Sequence, residues 1–303
     1  MTGVFLIVIS YFSLAFFLVM FFYKARKIAK LPNHLRWELA PVPHEKGRGK
    51  YGGSYLEEYE WWTKKREKSL IDEGMYLFKE IFFLRGVHEN NKKLWYFSFP
   101  FHFGMYILGG MLLLIAMTAI LLNFGVTYGN EFLGSAIEIF AIIGFVAALL
   151  GTLGLFGRRL LDPNLKSFST GGTLFNLFIL LAVFASGGLA LIAVPNFSTE
   201  MTAYAKAVFS FDTSAALPNL ITIHCIFGLL FLAYLPFTKM LHFLAKYFTY
   251  HEVRWNDAPL QGNSRMEKDI KKHLNQPVSW AAPHLKADGK KNWVDIVTEE
   301  DKS

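Results

Sequence analysis

Residues 224–242 read HCIFGLLFLAYLPFTKMLH. Two histidines bracket a run in which Lys239 is the only other charged or ionisable side chain besides Cys225 and Tyr234. In an α-helix their separation of 18 residues is five turns, which sets both imidazoles on one face and about 27 Å apart in height. Extended to about 218–245, the segment is long enough to cross the roughly 30 Å hydrocarbon core of a bilayer. An ionisable ring inside hydrocarbon is costly and marks function by default. One membrane helix with an imidazole near each surface is therefore the reading on which the rest of the fold turns.

Four further windows qualify as spans: 3–23, 99–122, 132–156 and 172–194. None shows the two-residue alternation of a membrane barrel. The composition agrees. Of 303 residues, 53% are hydrophobic and 18% charged, with a mean hydropathy of +0.29, against about 25% charged in a soluble domain. An ordinary cytosolic enzyme, a disordered chain and a secreted disulfide scaffold are excluded. Cys225 is the single cysteine, so the chain cannot build an iron–sulfur or cysteine-zinc site of its own. The expected fold is an all-α membrane protein: five transmembrane helices in a bundle, N-terminus outside, C-terminus cytoplasmic. Its expected divisions are a first transmembrane helix (1–23), a cytoplasmic or interfacial insert (24–97), a four-helix core (98–246) in which the cofactor considered below would sit, and a cytoplasmic tail (247–303).

The basic residues fix the orientation. Segment 24–97 holds 16 Lys and Arg, the short loop 157–169 holds three and the tail 247–303 nine. Loop 123–131 has none and 195–217 only Lys206. In a five-span chain the three basic segments share one side, the cytoplasmic one by the positive-inside rule. The net charge of +7 is thus mostly topological, and a nucleic-acid partner is not expected. The first span lacks a basic region before its apolar run and is read as a retained anchor rather than a signal peptide. In the insert, a stretch at about 66–85 places Leu70, Met75, Phe78 and Phe82 among charges, the pattern of an interfacial amphipathic helix. A Gly-rich run lies at 47–53, and Trp255, Trp280 and Trp293 are expected as docking anchors in the tail.

Three of the nine histidines, His102, His224 and His242, fall within spans. A six-coordinate haem takes two axial ligands from facing helices at one depth. His102 lies a few residues into span two, which runs outward. His242 lies just before the end of span five, which runs inward. Both are expected near the inner surface, whereas His224 is near the outer one. Gly104, Gly109, Gly110, Gly187, Gly188 and Gly228 would let a ring approach, although such glycines also serve ordinary helix packing.

These pieces resemble the gamma, cytochrome b subunit of respiratory nitrate reductase. The resemblance covers about residues 98–250. It is carried by Phe101-His102-Phe103-Gly104, by Gly157-Arg158-Arg159-Leu160-Leu161-Asp162-Pro163, by Ser169-Thr170-Gly171-Gly172, and most specifically by the 18-residue histidine spacing with Pro236-Phe237-Thr238 before the second histidine. The resemblance implies a subunit that binds haem b, oxidises a quinol near the outer face and passes electrons inward. It implies His102 and His242 as ligands of the inner haem iron and His224 as ligand of an outer one. The family's second outer ligand lies ten residues after the first histidine of span two; here that position is Leu112, which cannot bind iron, and neighbouring Met111 points about 100° away. Either a second haem is held otherwise, or His224 lines a quinone site. Glu138, about two turns below the outer end of span three, is expected at a similar depth, and a carboxylate with an imidazole could take up quinol protons.

The long insert and tail look more like gamma-type subunits of sulfate-reducer complexes. That likeness implies a cytoplasmic iron–sulfur partner similar to heterodisulfide reductase or to the nitrate reductase beta subunit, a periplasmic multihaem cytochrome c as a further partner, and menaquinone as substrate. The expected function is a multi-pass subunit of the cell's inner membrane relaying electrons through haem b. The alternatives are a proton-coupled transporter and a passive anchor with a structural haem.

Overall fold

A computed structural model describes residues 2–31, 42–47, 54–65, 67–255, 262–282, 284 and 287–299. Residues 48–53 of the Gly-rich run lie outside them. The chain divides into two compact units, Met1–Phe22 with Leu70–Leu241, and Tyr23–Ser69 with His242–Ser303.

Five helices are long and apolar enough to cross a membrane: Gly3–Ala29, Lys92–Asn123, Asn130–Leu161, Gly171–Ala193 and Asn219–Phe237. The first unit opens with α1 (Thr2–Ala29), whose last turns pass into the second unit. It continues through α2 (Leu70–Phe82), α3 (Arg85–Asn90), α4 (Lys92–Asn123), α5 (Asn130–Leu161), α6 (Pro163–Lys166), α7 (Gly171–Ala193), α8 (Phe197–Ser210) and α9 (Asn219–Tyr234). The long helices pack in a row: α4 against α5, α5 against α7, α7 against α9, with α8 laid against α4. No comparable packing joins α4 to α9 at the two ends of the row among the described residues. On α1, Leu6, Ile7, Ser10 and Ser13 are buried. The hydroxyls of Ser10 and Tyr204 share a hydrogen bond, and Tyr11 stacks on Phe211 at 4.9 Å, so the anchor helix is fastened to α8 and the turn beyond it.

The α4–α5 seam depends on missing side chains. A Cβ on Gly104 would stand 2.3 Å from the Ala148 nitrogen and 2.7 Å from the Gly144 oxygen. One on Gly151 would stand 2.4 Å from the Phe101 nitrogen. Gly144, Ala148 and Gly151 recur at helical spacing, the small-residue stripe that lets membrane helices touch backbone to backbone. Gly104→Leu is therefore expected to force the two longest helices apart, costing about 3 kcal/mol or more. Gly74→Leu, on the exposed helix α2 where nothing lies within 4 Å, should be nearly neutral. Detergent-phase thermal melts of the two variants check this; equal midpoints would refute the seam.

The last span is not one continuous helix. Pro236 carries no N–H and clashes with the carbonyl four residues earlier. The chain tightens into a 3₁₀ turn at Leu235–Phe237 and turns extended at Thr238. The Thr238 hydroxyl donates to the Leu235 carbonyl at 2.9 Å and accepts from the Met240 N–H at 3.0 Å. The span ends at Phe237, not near 245. The five-turn argument placing His224 and His242 on one face of one helix is thereby overturned.

In the second unit, α10 (His242–Phe248) continues into a π-helical turn at Thr249–Arg254, followed by α11 (Arg265–Leu274), a two-residue hairpin of β1 (Ala281–Ala282) and β2 (Ala287–Asp288), and α12 (Trp293–Thr298). Buried Glu45 accepts from the Ser54 hydroxyl at 3.0 Å and the Tyr55 N–H at 3.2 Å. Trp255, one of the expected docking anchors, is buried beside His44 and Tyr250. Trp280 and Trp293 remain partly exposed, with ring centroids 6.2 Å apart. In the first unit, α2 presents Leu70, Ile71, Met75, Phe78 and Phe82 outward, as an interfacial helix would.

Candidate haem and quinone sites

His102 lies ten residues into α4 and is half-buried. Its Nδ1 stands 2.7 Å from the Ser98 carbonyl, one turn back. A carbonyl can only accept, so Nδ1 carries the proton and Nε2 the lone pair. This is the arrangement that fixes tautomer and ring orientation in metal-binding histidines. Along the row's unjoined ends, Gly109 on α4 and Gly228 on α9 have nothing within 4 Å of where a Cβ would stand. The α4 side of the first unit thus fits a haem ligand at His102 and space for a ring. Gly104, Gly110 and Gly187 serve otherwise: the first seats the helix seam, and the other two lie under Phe140 and Phe145. His242 opens α10 and belongs to the second unit.

His224 is placed differently. It is buried on α9, with Nδ1 3.2 Å from the Ser186 hydroxyl of α7. The Phe145 ring meets it edge-on at a centroid distance of 5.6 Å. A Cβ on Gly187 would lie 2.8 Å from its Cε1, so α7 presses directly on the imidazole. Leu112 is 56% exposed, whereas Met111 is buried in the hydrophobic core. With no second nitrogen ligand among the described residues and a closed wall of Phe145 and Gly187, these surroundings do not fit a second bis-histidine haem.

Glu138 sits on α5, two turns from the start of that helix. Its carboxylate accepts a hydrogen bond of 2.9 Å from the Ser198 hydroxyl. Ser198 comes from α8, which the sequence reading treats only as part of a connecting loop. The chain reverses after α7 through Pro195 and Asn196, the latter in the left-handed region at φ 58°. Phe197 then buries itself edge-on to Phe145 at 6.4 Å, which fixes the next residue, Ser198, against α5. The missed signal was Asn196 followed by Ser198, Thr199 and Glu200, polar residues of the kind that open a helix.

Beside Glu138 a groove of about 560 Å³ runs between α5 and the end of α7, with Ile142, Phe145, Val146, Gly188 and Ile192 in its walls. It is an apolar trough with one carboxylate at its rim, and Ile142, Val146 and Ile192 open it toward the bilayer. Phe145 belongs to both places, lining the groove and touching His224. It lies seven residues beyond Glu138, so His224 meets α5 about 10 Å further along the helix rather than at the level of the carboxylate.

A family model described as the nitrate reductase gamma subunit matches residues 87–256. The Hdr-like menaquinol oxidoreductase cytochrome b-like subunit of Archaeoglobus profundus is 26% identical over 189 residues, covering 58% of this chain and 56% of that protein. The chain therefore spans little more than half of that relative's length. The matched region runs from α3 through the haem-ligand candidates to the end of the π-helical turn, more than half of the chain, and this multi-pass membrane protein belongs to the nitrate reductase gamma subunit family.

Proposed function

We propose that the chain is the membrane cytochrome b subunit of a respiratory redox complex, oxidising menaquinol in the groove beside Glu138 and delivering electrons to a cytoplasmic iron–sulfur partner. The observation that carries the reading is the Glu138–Ser198 pair at the rim of an apolar groove. A quinone needs an apolar channel for its tail and a few polar groups for its head. Haem b, when bound through His102 and His242, supplies a one-electron carrier.

The protein's own residues handle protons and position. Oxidation of a quinol to a quinone releases two electrons and two protons. The Glu138 carboxylate accepts the two quinol protons in turn at the rim, releasing the first before it takes the second. Ser198, donating to that carboxylate, holds it toward the groove. Phe145 and the α7 wall keep water from the interior. By the distribution of Lys and Arg, the Glu138 end of α5 is the outer one, so the protons leave outward and the electrons move inward. His224, for which the described residues offer no partner ligand, contributes an imidazole behind Phe145 rather than an iron ligand. A periplasmic multihaem cytochrome c is a further proposed partner, and the cell's inner (cytoplasmic) membrane the proposed location.

The test is direct. A reduced menaquinol analogue added to the intact, detergent-solubilised complex should reduce its haem, seen as a sharpened α-band. An absorbance spectrum unchanged by the quinol would leave only a passive anchor.

A further inference from the structure

At the opposite end of α5 lies a second cleft, of about 480 Å³, lined by Phe97, Gly154, Gly157, Arg158, Leu161 and Asp162. Two charges share its wall without satisfying each other. Nη1 of Arg158 is buried and has no hydrogen-bond partner among the described residues. Asp162, one turn on, uses Oδ1 to cap α6 by accepting from the Asn164 N–H at 3.0 Å. Residues four apart on a helix are neighbours, yet no ion pair joins these two among the described residues. A buried polar group without a partner carries a desolvation penalty, and a ligand bearing both an acceptor and a donor would remove it.

We infer that this cleft binds the headgroup of a membrane phospholipid, its phosphodiester on Arg158 and its donor-bearing terminus on Asp162. The position suits it. Arg158 lies in the last turn of an apolar helix, at the level where headgroups begin, on the side rich in Lys and Arg. Leu161 is 82% exposed, offering a surface for an acyl chain, and Gly157 leaves the floor open, with nothing within 4 Å of a Cβ. The opposite wall is fixed, because a Cβ on Gly154 would lie 2.0 Å from the Phe97 ring. Arg158 satisfies phosphate oxygens through a planar fork of donors. Asp162 selects a headgroup that can donate, because a bare anion would meet its charge. A carboxylate of the haem is a weaker match: Phe97 and His102 are five residues apart on α4, so they project about 140° apart, and a ring held by His102 lies along another face.

The experiment uses the intact complex, delipidated in detergent and titrated in parallel with phosphatidylethanolamine, phosphatidylcholine and inorganic phosphate, with bound species counted by native mass spectrometry. Phosphatidylethanolamine should bind several-fold better than phosphatidylcholine, whose methylated ammonium donates no hydrogen bond. Arg158→Gln should weaken phosphatidylethanolamine binding about tenfold, the size of one charge-assisted hydrogen bond. Gly157→Leu, which keeps Arg158 and fills the floor, should weaken it similarly. Wild-type binding by either variant would overturn the site. Equal binding of phosphatidylcholine would overturn the role of Asp162, and inorganic phosphate competing at equal concentration would mean a free-anion site. Loss of haem absorbance in Arg158→Gln would assign the cation to a haem carboxylate instead.

Discussion

His102→Ala is expected to abolish haem binding, with the b-type absorbance of the purified protein falling to background. The argument starts at the ring. Nδ1 is committed to the Ser98 carbonyl at 2.7 Å, so the imidazole presents Nε2 in a fixed orientation before any iron arrives. Alanine removes the ligand while being the best helix former, so α4 should persist. Circular dichroism and monodisperse elution would confirm that the loss is local. His242→Ala should give the same loss, because the proposed iron needs both nitrogens. His224→Ala separates the one-haem reading from its rival: haem per polypeptide should stay at the wild-type value. A halved content in that variant would restore a second haem at His224 and remove it from the quinone site. Full haem retention in both His102→Ala and His242→Ala would end the ligand assignment altogether.

Much of this architecture is readable from apolar runs, because a bilayer imposes a single length scale on every span. Three of the five windows lie within observed helices that extend further at their polar ends, as where α4 begins at Lys92, since hydropathy marks the hydrocarbon and not the helix, and the window 172–194 matches α7 (Gly171–Ala193) to one residue at each end. The fifth fails at Pro236, where local hydrogen-bond chemistry at Thr238 outweighs an apolar run. The glycines divide by environment, which spacing alone cannot disclose: Gly104 and Gly151 receive a neighbouring backbone, whereas Gly109 and Gly228 face open space. Glu138 is conspicuous in sequence as a carboxylate in an apolar span, but its partner is not. Ser198 lies 60 residues away in a segment too short and polar to register as a span, and only the Asn196 turn brings it back onto α5. His224 shows the same limit in reverse. Its family position suggests a ligand, and only the structure shows how tightly Phe145 and Gly187 pack against it.

Glu138→Gln should lower quinol-driven turnover about a hundredfold, within the 10²–10⁴ range of a positioned general base, while leaving haem content unchanged. The substitution preserves shape and an oxygen that can still accept from the Ser198 hydroxyl, so the α5–α8 contact and the groove survive. What disappears is the capacity to take a proton. The loss should therefore fall on kcat, with KM for the menaquinol analogue changing little. Ser198→Ala should lower turnover less, because the carboxylate remains but loses the donor that orients it. Combining the two changes should cost no more than Glu138→Gln alone, since without a carboxylate there is nothing for Ser198 to tune. Narrowing the groove tests binding separately: Gly188→Leu adds bulk where a Cβ has open space, so it should raise KM with kcat largely kept. If Glu138→Gln turned over quinol at the wild-type rate while Gly188→Leu impaired it, the groove would stand as the quinone channel and the proton acceptor would have to be sought deeper, at the imidazole behind Phe145.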